Sequence, residues 1–223
     1  MSTPSNRRTL VLASGSPRRR ELLRLLGFEF ERVVGTIDET PQPDELPDAY
    51  TLRVSLEKAY DSVEMVINGA VILTADTTVA DGNTILGKPE NDAHAEAMLK
   101  QLRNRTHQVY TAITLLDTAD NRVEQILAIT QVTMRDYSDT EIAHYIASGD
   151  PKDKAGSYAI QNGNFRPVTR IKGCYANVMG LPLCHLVVCL RRFGVEPHTD
   201  IPAGCQRVNQ IECPVYEDVL GMQ

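Results

Sequence analysis

The chain has 223 residues, 42% hydrophobic and 23% charged, with a formal net charge of -6 and no tryptophan. That length allows one sizeable core, or two lobes sharing a cleft, and the composition is ordinary for a globular protein. The acidic balance argues against a generic duplex binder, which needs a basic face, and 5% aromatic content weakens any single-strand stacking platform.

Arg7 and Arg8 precede an apolar run of only four residues, Leu10–Ala13. A signal-peptide core takes roughly 7 to 15 such residues and a membrane span roughly 18, so a cytoplasmic chain without a membrane segment is expected. Leu10–Ala13 reads as a buried strand. Ser16 then reads as a helix N-cap and Pro17 as the first helical position; Leu22 and Leu26 lie one turn apart, and Gly27 is the stop. This spacing puts Arg18, Arg19 and Arg20 in the first turn, where the macrodipole is positive and unpaired N–H groups point outward. Two readings follow: a solvated basic turn partly compensated by Glu21, or a polyanion site using helix N–H groups and guanidinium forks together.

After a turn-rich stretch from Thr36 to Pro47, Ala49–Asn68 carries apolar residues at helical steps. Val71–Ala75 reads as a buried strand, and Thr78–Ala80 with Thr84–Leu86 flanks a hairpin signal at Asp81-Gly82. Asp92 caps a helix to about Leu102, and His107–Asp117 with Arg122–Met134 forms a long antiparallel hairpin turning at Ala119–Asn121. Ser138 and Glu141 make a capping-box pattern for a helix stopping at Gly149. A final helix runs from about Leu183 to Phe193, and the tail after Gly194 reads as irregular. The expected architecture is α/β, a mixed central sheet with flanking helices and two lobes around a cleft, over residues 1–194, with a tail at 195–223.

Cys174, Cys184, Cys189, Cys205 and Cys213 make an odd count without a C-x-x-C pair, so ordinary thiols are expected rather than a zinc knuckle or disulfide framework. Gly82–Lys88 has P-loop spacing, but Pro89 stands where a magnesium-binding hydroxyl belongs and the segment begins in a hairpin turn. A Walker site is rejected, although Lys88 remains able to meet phosphate as a point charge. Thr74–Thr78 places Asp76 at the end of a buried strand, a place for a base or metal ligand, though also for a turn or cap residue. Asp38 and Glu39 add hard oxygen donors suited to magnesium or manganese. Lys58, taken alone, reads as a solvated lysine beside the apolar stripe of its helix.

Seven ordered segments carry a resemblance. LASGSPRRRELL at Leu12–Leu23, IDE at Ile37–Glu39, EKA at Glu57–Ala59, ADTTV at Ala75–Val79, GKP at Gly87–Pro89, KAGSYAIQ at Lys154–Gln161 and NVMGLP at Asn177–Pro182 together resemble the Maf family of nucleoside triphosphate pyrophosphatases. The resemblance spans about residues 9 to 193. It implies a fold like the inosine triphosphate pyrophosphatases, a divalent metal (Mg or Mn), a nucleoside triphosphate substrate cut between its α and β phosphates, and a homodimer. No stable nucleic-acid partner is expected. By matching positions it implies Asp76 as proton acceptor, and Arg18, Thr77 and Gln161 as marks of the branch acting on dTTP and UTP. Ser16, Glu39, Lys58 and Lys88 are implied around the triphosphate and metal, with Glu39 and Asp76 as metal ligands. Asn162 stands where the family usually has glycine. The alternatives are a 7-methyl-GTP-type pyrophosphatase, disfavoured by Arg18, and a nucleotide-sensing regulator of cell division without significant turnover.

Overall fold

A computed structural model describes residues 9–222, so Arg7 and Arg8 lie outside the described residues. A seven-stranded sheet organises the molecule, in the order β2-β1-β3-β5-β6-β7 with β4 pairing to β3. Its strands are β1 (Leu10–Ala13), β2 (Phe30–Val33), β3 (Val71–Asp81), β4 (Thr84–Leu86), β5 (Thr106–Asp117), β6 (Val123–Met134) and β7 (Val168–Lys172). β1 runs parallel to β2 and β3, while every other pairing is antiparallel. The helices are α1 (Pro17–Arg24), α2 (Pro47–Asp61), α3 (Asp92–Leu102), α4 (Asp139–Ala147), α5 (Tyr175–Val178), α6 (Leu183–Arg192), α7 (Ile201–Asn209) and α8 (Tyr216–Leu220).

Strand alternation assigns these helices to opposite faces. Val71, Leu73 and Ala75 of β3 share a core with Leu22 and Leu23 of α1, with Leu26 just beyond that helix, and with Leu186, Val187 and Leu190 of α6. Ile72 points the other way, into a smaller cluster with Ala59 of α2. Further along the same strand, Val79 joins a different core, with Leu99 of α3, Ile142 of α4 and Met134 of β6. The long strands thus run through two cores, which are the expected two lobes.

The boundary between them is a gap in the sheet edge. β1 pairs with β3 only from Val71 to Leu73, and β4 takes up the same edge only from Val79 to Asp81. Residues 74–78 therefore have no neighbouring strand on that side, while β5 continues on the other through Asp76↔Ala112 and Thr77↔Thr111. Asp76 is not at a strand end, as the sequence suggested: Val71–Ala75 and Thr78–Ala80 are one strand, and the site is in its middle. The polar run breaks the apolar pattern of the sequence, but the β5 ladder carries the backbone straight through it.

Most local signals hold. Ser16 Oγ accepts from Arg19 N, and Ser138 and Glu141 form both halves of the capping box. The cap of α3 is Asn91, whose side chain accepts from His94 N, rather than Asp92. α2 ends at Asp61 instead of Asn68, because Ser62 caps it and returns its hydroxyl to the Lys58 carbonyl at 2.8 Å. The apolar period runs on because Val63 and Val66 still pack on the α2 cluster after the helix has stopped. β2, β7 and α5 escaped the pattern reading, since they are short and the strands carry charges.

The segment after Gly194 is not irregular. Asp200 caps α7, and Ile201 and Cys205 are buried in the α1–α6 core with Leu220 of α8 packed against it. Thr199 Oγ1 donates to Leu25 O at 2.6 Å, and His198 meets the Phe28 ring edge-on at 5.1 Å. Apolar residues spaced within a polar, proline-containing stretch were enough to seat it, although the stretch lacks a long periodic run. All five cysteines are free, and no helix among the described residues is long and apolar enough to cross a membrane.

Candidate active site

A cleft of about 1310 Å³ opens at the gap in the sheet. It is bordered by the β1–α1 turn, the β2–α2 loop, the exposed edge of β3, the β4–α3 loop and the segment 150–161. The C-terminal end of a parallel strand leading into a helix N-terminus is a general place for anionic ligands.

Three charged groups converge on its floor. Lys58 Nζ lies 2.7 Å from Asp76 Oδ1 and 3.0 Å from Glu39 Oε1. Asp76, only 6% exposed, also accepts from Thr78 Oγ1 at 3.2 Å through its other oxygen. A buried carboxylate needs such partners, because desolvation otherwise disfavours its charge. The encounter is set from below by a buried hydroxyl cluster. Thr74 Oγ1 donates to Ser55 O at 2.7 Å, and the Ser55 and Thr114 hydroxyls lie 2.8 Å apart. Ser55 and Lys58 are one turn apart on α2, and Thr74 and Asp76 are two apart on β3, so docking the first pair brings the second together. Lys58 is thus no freely solvated lysine.

The three arginines have different surroundings. Arg19, not Arg18, is the anchored member: its Nε donates to Gly180 O at 2.8 Å and its Nη2 to Thr77 Oγ1 at 3.0 Å. Thr77 Oγ1 is in turn 3.0 Å from Thr111 Oγ1. Gly180 has φ +100, and a Cβ there would stand 3.2 Å from Thr77 Oγ1 and 3.5 Å from Arg19 Nε, so a bare backbone is what admits the guanidinium. Burial pulls the Arg19 pKa down, opposed by the negative field of Asp76 and Glu39. Arg18 also lines the cleft, and its Nε is buried without a partner among the described residues. Arg20 does not line it. None of the three is fully exposed, which departs from the picture of a solvated turn.

Ser16, Thr77, Lys88 and Gln161 all line the same cleft, so the structure brings together every expected site residue. Lys88 and Gln161 are exposed. The Gln161 segment is held from behind: Tyr145 OH accepts from Ala159 N at 3.0 Å, and Gly156, at φ +66, lies so close to Val79 that a Cβ would stand 2.8 Å from it. Asn162 makes its own turn, accepting from Phe165 N at 2.8 Å and Asn164 N at 3.1 Å while donating to Asp150 at 3.1 Å. Lys154 of the same segment is paired with Asp153 at 2.6 Å and Asp150 at 3.1 Å.

Sequence reading missed Arg19, Thr78, Asp61 and Ser14, all on the cleft wall. Arg19 had a signal: as the residue whose N–H bonds the N-cap, it must lie over that cap. Asp61 had none, and its Oδ2 is buried without a partner among the described residues. Among those residues no three His, Cys, Asp or Glu side chains are grouped to hold a metal. Glu39 and Asp76 are the two carboxylates that meet, and both are paired with the Lys58 ammonium.

Comparison with known proteins gives a consistent family. The model for Maf-like protein matches residues 9–193. The dTTP/UTP pyrophosphatase of Shigella dysenteriae is 44% identical over 185 residues, covering 83% of this chain and 93% of that one. That of Hahella chejuensis is 43% identical over 198 residues, covering 87% and 96%. Among solved structures, the Staphylococcus aureus Ham1 protein overlaps 58% of this chain and 73% of its own at 13% identity, with a TM-score of 0.42.

Proposed function

This chain belongs to the Maf family, and from that premise we propose that it hydrolyses pyrimidine nucleoside triphosphates, dTTP and UTP among them, to the monophosphate and pyrophosphate. The observation that carries the reading is the convergence of Lys58, Glu39 and Asp76 at the sheet gap, beside a helix N-terminus with two arginines facing the cleft.

In this reading water attacks the α-phosphorus, the bond to the oxygen bridging toward the β-phosphorus breaks, and the water proton passes to Asp76. A carboxylate fixed on a sheet strand suits general-base work, since most of the benefit comes from positioning. The Lys58 ammonium balances two carboxylates in the free protein and is within reach to hold charge on the leaving pyrophosphate. Arg18 and Lys88 supply cations along the cleft, and Ser16 with the first turn of α1 supplies hydroxyl and backbone donors. Gln161 offers an amide donor and a carbonyl acceptor, matching the alternating edge of uracil or thymine.

A magnesium or manganese ion is part of the proposal. Two hard oxygens around a cation locus, with the rest of the shell left to phosphate and water, fit how magnesium is usually held. Such an ion, when bound, stabilises charge on the phosphates. A homodimer, on the family resemblance, and a cytoplasmic location complete the proposal.

The test is product analysis with the purified protein, magnesium or manganese, and a panel of canonical and modified nucleotides. Monophosphate plus pyrophosphate from dTTP and UTP is the expected result. Release of inorganic phosphate with a diphosphate, or turnover confined to 7-methyl-GTP, would overturn it.

A further inference from the structure

Glu39 rides on residues 34–46, which join β2 to α2 with no helix or strand of their own. A loop of that length loses much conformational entropy when it is held in one form. Something must hold it if its carboxylate is to stay 3.0 Å from Lys58. The structure shows what does. Arg53 Nε and Nη2 take both oxygens of Glu45, at 2.6 and 2.7 Å, and Nη2 also donates to the Thr40 carbonyl at 3.2 Å. Its Nη1 meets Glu57 at 3.0 Å, and the guanidinium carbon lies 5.5 Å from the Tyr50 ring centroid. Tyr50 OH in turn donates to the Glu39 carbonyl at 2.8 Å. Glu45 folds the loop on itself by accepting from Gln42 N at 2.9 Å.

Tyr50, Arg53 and Lys58 thus seize the loop from one side of α2, at a backbone oxygen, at a fork and at the carboxylate itself. Arg53 does not line the main cleft. A lone surface ion pair is worth little. This one is bidentate, ties in a main-chain carbonyl, and has side chains only 20% and 9% exposed. We propose that Arg53 is a positioning residue: through Glu45 and the Thr40 carbonyl it fixes the loop that presents Glu39 to Lys58 and Asp76. This rests on the assignment of Glu39 to the reaction.

The test uses Arg53→Lys, which keeps the charge but cannot form the fork, and Tyr50→Phe, which removes only the tether to Glu39. Hydrogen exchange should quicken at least about tenfold in residues 34–46 of Arg53→Lys, with β3 and α1 unchanged. The rate constant kcat/KM for dTTP should fall about ten- to a hundredfold, and the manganese concentration for half-maximal rate should rise. In Glu39→Gln, adding Arg53→Lys should cost little more, because both act through one carboxylate. Tyr50→Phe should move the same readouts in the same direction, by less. Unchanged exchange in the loop overturns the proposal whatever the activity. So do additive losses in the Glu39→Gln background, or a lowered melting point with kcat/KM and metal requirement intact. Should the protein release pyrophosphate from no nucleotide, the functional reading fails, while loop exchange in the two variants still decides whether Arg53 holds the loop.

Discussion

The two ends of the cleft are built on opposite plans. At the carboxylate end Asp76, Lys58, Glu39 and Arg19 come from four separate segments and are already bonded to one another or to the frame. At the far end Lys88 and Gln161 reach out exposed, and only the chain behind them is pinned, by Tyr145, Asn162 and the approach of Gly156 to Val79. The difference follows from burial. A buried carboxylate must be paired before any ligand arrives, or the fold bears its desolvation. An exposed ammonium or amide has no such requirement, and water serves it until a ligand replaces that water.

The comparison is most easily broken at Asp76. Asp76→Asn keeps the shape and removes the base, so kcat should fall about 10²- to 10⁴-fold with a much smaller change in nucleotide affinity. Near-normal turnover at saturating substrate would take Asp76 out of the reaction and leave the preformed end without a chemical purpose.

The arginine pair sharpens the contrast within one helical turn. Arg19→Ala strips hydrogen bonds to Gly180 and Thr77, and should lower folding stability by about 1.5–3 kcal/mol along with activity. Arg18→Ala should leave the melting point nearly unchanged and lower kcat/KM about tenfold or more, as expected for a group whose partner is the ligand. Denaturant melts and steady-state kinetics on both variants separate the roles; equal melting points would show that Arg19 is not structural.

At the open end, Gln161→Ala should shift stability by no more than about 0.5 kcal/mol. It should raise KM for dTTP about tenfold, which is the worth of roughly one hydrogen bond, and narrow the preference over purine triphosphates. An unchanged ranking of nucleotides would mean that the base is read elsewhere.

The response to acid tests the frame behind the open end. His107 donates to or accepts from Tyr158 at 2.8 Å behind the Gln161 segment, and burial drives its pKa down to about 4 from an ordinary 6.5. The unfolded chain therefore binds the proton first. The contribution of neutral His107 is full above pH 6.5 and is lost as pH falls from 6.5 towards 4. His185, also depressed to about 4 by burial, acts in the same window from α6. Glu141, held near 2 by the Ser138 N–H and by Arg135, adds a loss only below about 4.5. Melting points of wild type and His107→Gln from pH 7 to 4 should converge as the pH drops. A parallel decline would assign the acid sensitivity to other groups.

Much of the fold was legible in the sequence because its signals are local. An N-cap serine, a capping box and a glycine stop act within one turn, so α1 and α4 can be placed from a few residues. The long β5–β6 hairpin follows from alternation over a dozen positions. The order of seven short motifs marked the family and drew the site residues out of a crowd of ordinary lysines and arginines. Three decisions needed the tertiary structure. One was the gap between β1 and β4, which exists only because two distant segments stop short along the same edge of β3. Another was the anchoring of Arg19, which depends on where Gly180 and Thr77, remote in sequence, come to rest. The third was the tail, whose few apolar residues had no visible purpose until the α1–α6 core supplied a surface to bury them. Each depends on contacts between residues far apart in the chain, and no local period records which distant surface will be waiting.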